Sequence, residues 1–398
     1  MSRDHLKEID YLRVFGLVSI VFIHSWAYFF SMPGLDFINN TFQGLIVNLL
    51  RYARFIFVFV TGLVMFYSYK DRELNVKRFY QRRLHNLVIP YAVWTAIYLF
   101  ISRDTDLINW SGLDGFAAAW FINLFTGDAF YHLYYIIVTI QFYLFLPLLL
   151  LIFKPRRKRL WAGVILIGGL ILCTVYYYWL EIQGLKILDL TSGTPWKGIT
   201  ALFLQYKDRL LFFYLPFYLL GGLAGMYLEE CRRWLVKHCG LIGVILLLST
   251  SAVAVEYFYF YRYLGQNFIL TISVFKPSMY LYSLSVIAML FWLSLYMARR
   301  RTASKIVELL AANSLGIYLI HPAVLYVLHT FYYTAAYTVV PGSLLVLLDP
   351  FAAIFFSCLL TIALGSIRST SFIVGKAGNI NVKPFSWRVL MKNLKMGS

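Results

Sequence analysis

Apolar residues in this chain run for about twenty positions at a time, interrupted by short polar stretches. Such runs stand out at roughly 8–30, 46–68, 86–102, 133–153, 160–180, 210–228, 240–261, 277–298, 312–334 and 346–367. A helix rises 1.5 Å per residue, so ~20 apolar residues cross the ~30 Å hydrocarbon core of a bilayer. A helix on the surface of a soluble core keeps a polar face, and most of these runs have none. The pattern predicts an all-α, polytopic transmembrane helical bundle of about ten spans. The first run, beginning at Tyr11, is too long for the apolar part of a signal peptide and lacks a small-residue cleavage site, so it is expected to be a span.

Composition sharpens this picture. The 398 residues are 61% hydrophobic and only 14% charged, whereas soluble domains carry about 25% charged residues. The net charge of +18 would suit nucleic acid, but its placement argues for a membrane. Lys and Arg concentrate in 70–83, Lys154–Arg159, 232–237, 299–305 and after 367, with Arg3 and Lys7 at the start. With ten spans these segments share one side, and the positive-inside rule makes that side, with both termini, cytoplasmic. The expected location is a plasma membrane, bacterial by its lack of other targeting signals, with lipid as a partner and no nucleic acid. The outer segments 103–132 and 181–209, with Trp110, Trp120 and Trp196, are expected to hold short interfacial helices. No linker or repeat divides the chain, so 1–370 reads as one membrane domain and 371–398 as a basic tail facing anionic lipid. The four cysteines form neither a disulfide framework nor a zinc spacing.

Ionisable residues within spans cost ~2.5–3.5 kcal/mol each to insert and are functional candidates by default. In the first span Asp10 stands three residues before Arg13 and can pair with it. His24 follows eleven residues later, on the same face and about 16 Å along the axis. A buried histidine can act as a base near neutral pH or simply bond a neighbouring helix. The ninth span carries Ser314, Tyr318 and His321 as a polar stripe, and Pro322 frees a carbonyl one turn back. The fourth opens with His132 and Tyr135 on the face that continues through Thr139 and Tyr143; this is either an interfacial girdle or a polar groove. Arg51 and Arg54 stand near the outer end of the second span, where they either snorkel or point into a cavity. Arg82 and Arg83 lead into the third span, as ordinary cytoplasmic charge or as a grip on phosphates. No third ligand accompanies the histidines, and no metal is expected.

Several of these stretches together resemble the membrane acyltransferase-3 family. They are Asp10-x-x-Arg13 with His24, the Phe57-to-Gly62 run, Arg82-Arg83 through Pro90-Tyr91, His132-Leu-Tyr-Tyr135 through Pro147, and Leu315 through His321-Pro322. They arrive in the family's order over nearly the whole chain. The family's basic motif has two arginines three apart; here the second position is Asn86 counted from Arg83, or His85 counted from Arg82.

The resemblance implies transfer of an acyl group, acetyl being commonest, from cytoplasmic acyl-CoA to a hydroxyl of a carbohydrate or lipid-linked acceptor. His24 would be the base, His321 would share the proton work or bind the acceptor, and Arg13, held by Asp10, would orient the donor or stabilise developing negative charge. Arg82 and Arg83 would hold the donor phosphates, while Arg54, His132, Tyr135 and Tyr318 would line the acceptor site. A transporter or flippase of lipid-linked sugars is the competing reading. It lacks support from any inverted repeat or matched pair of broken spans.

Overall fold

The computed structural model describes residues 5–29, 40–104, 110–152, 158–181, 183–265, 271–300, 304–331 and 342–376. They form helices α1 (Lys7–Phe29), α2 (Asn40–Leu50), α3 (Ala53–Tyr69), α4 (Val76–Arg83), α5 (Ile89–Asp104) and α6 (Gly112–Thr126). These are followed by α7 (Tyr134–Ile152), α8 (Lys158–Val175), α9 (Gly184–Leu190), α10 (Lys197–Tyr206), α11 (Leu215–Met226) and α12 (Leu228–Lys237). The last five are α13 (Cys239–Phe258), α14 (Pro277–Arg300), α15 (Ser304–Ala312), α16 (Ser314–Phe331) and α17 (Gly342–Ser366). No strand occurs among the described residues, and 9 helical stretches there are long and apolar enough to cross a membrane. The remaining expected span, 160–180, is helical as α8 and continues in a π-helical segment, Tyr176–Glu181. The outer faces are apolar, as lipid requires. On α13, Leu241, Val244, Leu248 and Val255 are exposed at helical spacing, and α7 exposes Leu144, Leu148 and Leu151.

The tightest contact in the bundle is between α3 and α11. A Cβ on Gly62 would stand 2.0 Å from the Tyr218 carbonyl oxygen, and one on Gly221 would stand 2.0 Å from that of Phe59. One turn on, a Cβ on Gly225 would lie 2.3 Å from the Leu63 carbonyl oxygen. Only glycine permits this approach, and Gly221-x-x-x-Gly225 is the small-residue spacing by which membrane helices bring backbones together. Aromatic rings close the flanks, with Phe55 stacked on Phe217 and Phe142 on Tyr218, each pair 4.2 Å apart between centroids.

Among the spans that start earlier than expected, two bear on the site. The third begins at Val76 rather than 86, so the basic run 77–83 is helical and belongs to a 28-residue stretch, Val76–Arg103. Pro90 lacks an amide hydrogen and crowds the carbonyl one turn back, and the ladder responds with a π-helical segment, Leu84–Val88. The second span also starts earlier, at Phe42 within α2, and its two helices meet in a turn at Arg51–Tyr52. Arg51 therefore stands ~16 Å into the helical rod from Asn40 rather than near its outer end.

Ion pairs join segments expected on a common side. Arg232 pairs with Glu8 on one side, and Arg209 with Asp128 at 2.5 Å on the other. The start of the expected tail is part of the bundle. Trp94 Nε1 donates to the Ile373 carbonyl at 3.0 Å, and Gly375 (φ 74°) packs on the Asn86 carbonyl. Residues 377–398 lie outside the described residues.

Candidate active site

Three helical segments converge on a cluster of histidines. His24 comes from α1, His321 from α16, and His132 from the turn that precedes α7. Ring centroids are 5.4 Å apart for His24 and His321, and 5.5 Å for His132 and His321. The Tyr318 hydroxyl donates to the His132 carbonyl oxygen and so ties α16 to the turn. His24 and His132 line a cavity of about 730 Å³. His321 is fully buried behind that wall.

Local chain chemistry sets the His321 ring. Pro322 cannot donate to the Tyr318 carbonyl, and that oxygen instead lies 2.8 Å from His321 Nδ1. A carbonyl only accepts, so Nδ1 carries the proton and Nε2 of the neutral ring keeps its lone pair. Nε2 is buried and has no hydrogen-bond partner among the described residues. The next rung of α16 is filled by Tyr98 from α5. Its hydroxyl donates to the Leu319 carbonyl at 2.6 Å and accepts from the Ala323 amide at 3.3 Å. A side chain wedged into the ladder holds the helix open beside His321.

A second cavity of about 350 Å³ lies on the other side of Tyr135 and Tyr318, which line both. Its wall includes Arg13, Arg83, Asn86, Thr139, Tyr143 and Ser314. Arg13 meets Asp10 at 3.6 Å, as the spacing predicts, and Asp10 also bonds His5. Arg83 lies 4.4 Å over the Tyr143 ring and 5.2 Å over that of Phe79. The two adjacent arginines part company: Arg83 reaches the cavity, whereas Arg82 is exposed and absent from its wall. The same helical geometry decides between the two candidate partners. Asn86, three residues after Arg83, lines the cavity, and His85 is exposed with its ring on the Gln81 carbonyl at 2.8 Å.

The larger cavity also receives Arg51, Arg54, Tyr134, Tyr28 and His329. His329 Nε2 stands 3.0 Å from Asp349 Oδ2, and the Ser25 hydroxyl donates to the same oxygen at 2.5 Å. The Tyr28 ring stacks on His329 with centroids 3.6 Å apart. This Ser25–Asp349–His329 group adjoins His24 in the chain and is not among the residues expected from the sequence. The signal existed, since His329 and Asp349 are ionisable residues within apolar runs. Among the described residues no group of three or more His, Cys, Asp or Glu side chains could hold a metal ion.

The arrangement can therefore receive two reactants from separate chambers, with an imidazole on one wall near the partition. A scan against protein-family models matches the acyltransferase domain family, Acyl_transf_3, over residues 6–367. Searches of curated proteins and of solved structures found no match.

Proposed function

Because the chain belongs to the acyltransferase-3 family, we propose that this membrane acyltransferase moves an acetyl group from acyl-CoA to a hydroxyl of a cell-envelope carbohydrate. The observation that carries this reading is the pair of cavities meeting at Tyr135 and Tyr318, with Arg13 and Arg83 in the smaller and His24 in the larger. The smaller chamber takes the donor from the cytoplasmic side. Arg83 and Arg13 supply charge-assisted hydrogen bonds to its phosphates and thioester end. The larger chamber takes the acceptor from the opposite side of the membrane, with both chain termini on the donor side. Its aromatic wall suits the apolar face of a sugar ring.

In this reading His24 removes the proton from the acceptor hydroxyl as its oxygen attacks the thioester carbonyl. The new C–O bond forms, the C–S bond breaks, and the coenzyme A thiolate leaves with the proton delivered from the imidazole. His321, whose Nδ1 is tied to the Tyr318 carbonyl, keeps its Nε2 lone pair beside His24 and stabilises the transient imidazolium. His132 and Tyr318 brace the partition through their own hydrogen bond.

The test is transfer of labelled acetyl from acetyl-CoA into envelope carbohydrate by membranes containing the protein, beside a His24→Ala control. Label that enters carbohydrate with the intact protein and fails with the variant supports the reading. Equal labelling by a folded His24→Ala protein removes His24 from its role. Transport of an unmodified sugar without any dependence on acyl-CoA would replace the reading altogether.

A further inference from the structure

The larger cavity holds an electrostatic imbalance. Arg51 and Arg54 both line it, three positions apart where α2 meets α3. Among the described residues no Asp or Glu is on its wall. The nearby carboxylates are engaged elsewhere: Asp349 with Ser25 and His329, and Asp208 with Arg209 at 3.9 Å. Asp208 acts electrostatically on both arginines without lining the cavity.

The two guanidiniums are unequally served. Arg54 donates to the Tyr214 hydroxyl, which donates in turn to the Asp208 carbonyl at 2.7 Å. Its guanidinium also lies 5.8 Å from the centre of the Tyr134 ring. Arg51 Nε is buried and lacks a hydrogen-bond partner among the described residues. Snorkelling does not account for the pair, because α2 continues ~16 Å beyond Arg51 toward its own start. Two like charges side by side in a span are costly unless something negative lies between them.

We propose that Arg51 and Arg54 form an anion-binding subsite of the larger cavity, and that the acceptor is a glycan carrying a carboxylate or phosphate. The planar forks of two guanidiniums match the oxygens of either group. The fixed anion completes the charge balance of the chamber and anchors the sugar, while a separate hydroxyl is presented to His24. The anionic group itself is unchanged by the transfer. The aromatic side chains of Tyr131, Tyr134 and Tyr261 around the same cavity offer faces for the sugar ring. This assignment rests on the reading of the larger cavity as the acceptor chamber.

The experiment is calorimetric titration of the purified full chain in phosphatidylcholine nanodiscs, with no acyl-CoA present. The probes are a uronic-acid disaccharide, a hexose phosphate and a neutral disaccharide. At least one anionic sugar should bind tenfold or more tighter than the neutral one, and the advantage should shrink with added salt. Arg51→Gln and Arg54→Gln should each remove most of that preference. Arg51→Lys, which keeps the charge and loses the fork, should retain part of it and guards against a mere folding defect. Equal binding of neutral and anionic sugars overturns the proposal, as does an undiminished preference in a folded Arg51→Gln protein.

A parallel titration in nanodiscs containing phosphatidylglycerol separates the two sources of anion. If that lipid abolishes sugar binding competitively, the arginines hold a headgroup and the acceptor assignment is overturned. The transferase reading fails separately. Anionic sugar that binds through the arginines but never receives label leaves the anion subsite standing. Label transferred efficiently to neutral glycans alone leaves the enzyme standing and removes the anionic acceptor.

Discussion

The two chambers on either side of Tyr135 and Tyr318 treat their arginines differently. In the smaller one each arginine comes with a companion: Arg13 has Asp10, and Arg83 lies over the rings of Tyr143 and Phe79. In the larger one Arg51 and Arg54 face a wall that, among the described residues, carries no carboxylate; Arg54 is held by Tyr214 and Tyr134, while Arg51 Nε, like that of Arg83, has no hydrogen-bond partner there. An arginine with a fixed partner is held in place before a ligand arrives, which costs little reorganisation on binding. Two buried guanidiniums with no carboxylate beside them are stabilised chiefly when something negative enters. Under the proposed function, the donor side is organised in advance and the acceptor side is completed by its ligand.

The sharpest way to break this division of labour is to remove the proposed base, His24. His24→Ala should lower transfer by on the order of 10²–10⁴-fold, the usual contribution of a positioned base, while detergent-extracted protein keeps its thermal transition. Retained activity would mean that another group in the larger chamber takes the proton. Next in size is a change that deforms the smaller chamber from behind. Gly221→Val forces a side chain against the Phe59 carbonyl and shifts α3, which carries Thr61 on that chamber's wall. Overpacking of this kind costs about 1–3 kcal/mol, so the melting temperature should fall and acyl-CoA use should suffer more than acceptor use.

A comparable but more local loss should follow Tyr98→Phe. The phenyl ring leaves the Leu319 carbonyl and the Ala323 amide without the hydroxyl that bridges them. An unsatisfied buried group costs about 1–3 kcal/mol. The expected signature is reduced kcat with little change in KM for either substrate, because the wedge positions His321. A matching loss in KM for acyl-CoA would indicate that the kink serves the donor chamber.

Adjacent arginines provide the finest comparison. Arg83→Ala should raise KM for acyl-CoA by roughly tenfold, in line with the loss of one charge-assisted hydrogen bond. Arg82→Ala should change it by less than about twofold, as expected for an exposed charge. Equal effects of the two would place the donor phosphates on the outer face of α4 instead of in the cavity.

Much of the architecture was legible along the chain because lipid imposes a length and an apolar surface on each span. The pairing of Asp10 with Arg13 followed from helical spacing, and Pro322 pointed to the freed carbonyl that His321 now occupies. Boundaries were less legible. The second and third spans run past their hydropathy edges because polar residues such as Gln43 and Lys77 lie inside the helical rod. His329 and Asp349 carried a readable signal but lie in different helices, and nothing local announces that they meet.

By itself the sequence determined the all-α membrane-spanning character, the order of the family's motifs and the identity of the ionisable groups inside the spans, since these depend on local composition and helical period. Only the tertiary structure decided which of those groups share a space. It brought His24, His132 and His321 together from three distant segments, sent Arg83 inward and left Arg82 outside, and placed Arg51 and Arg54 on a wall that carries no acid among the described residues. The physical reason is that rotation and depth of a helix in lipid are set by its neighbours, here by close glycine contacts such as those between α3 and α11.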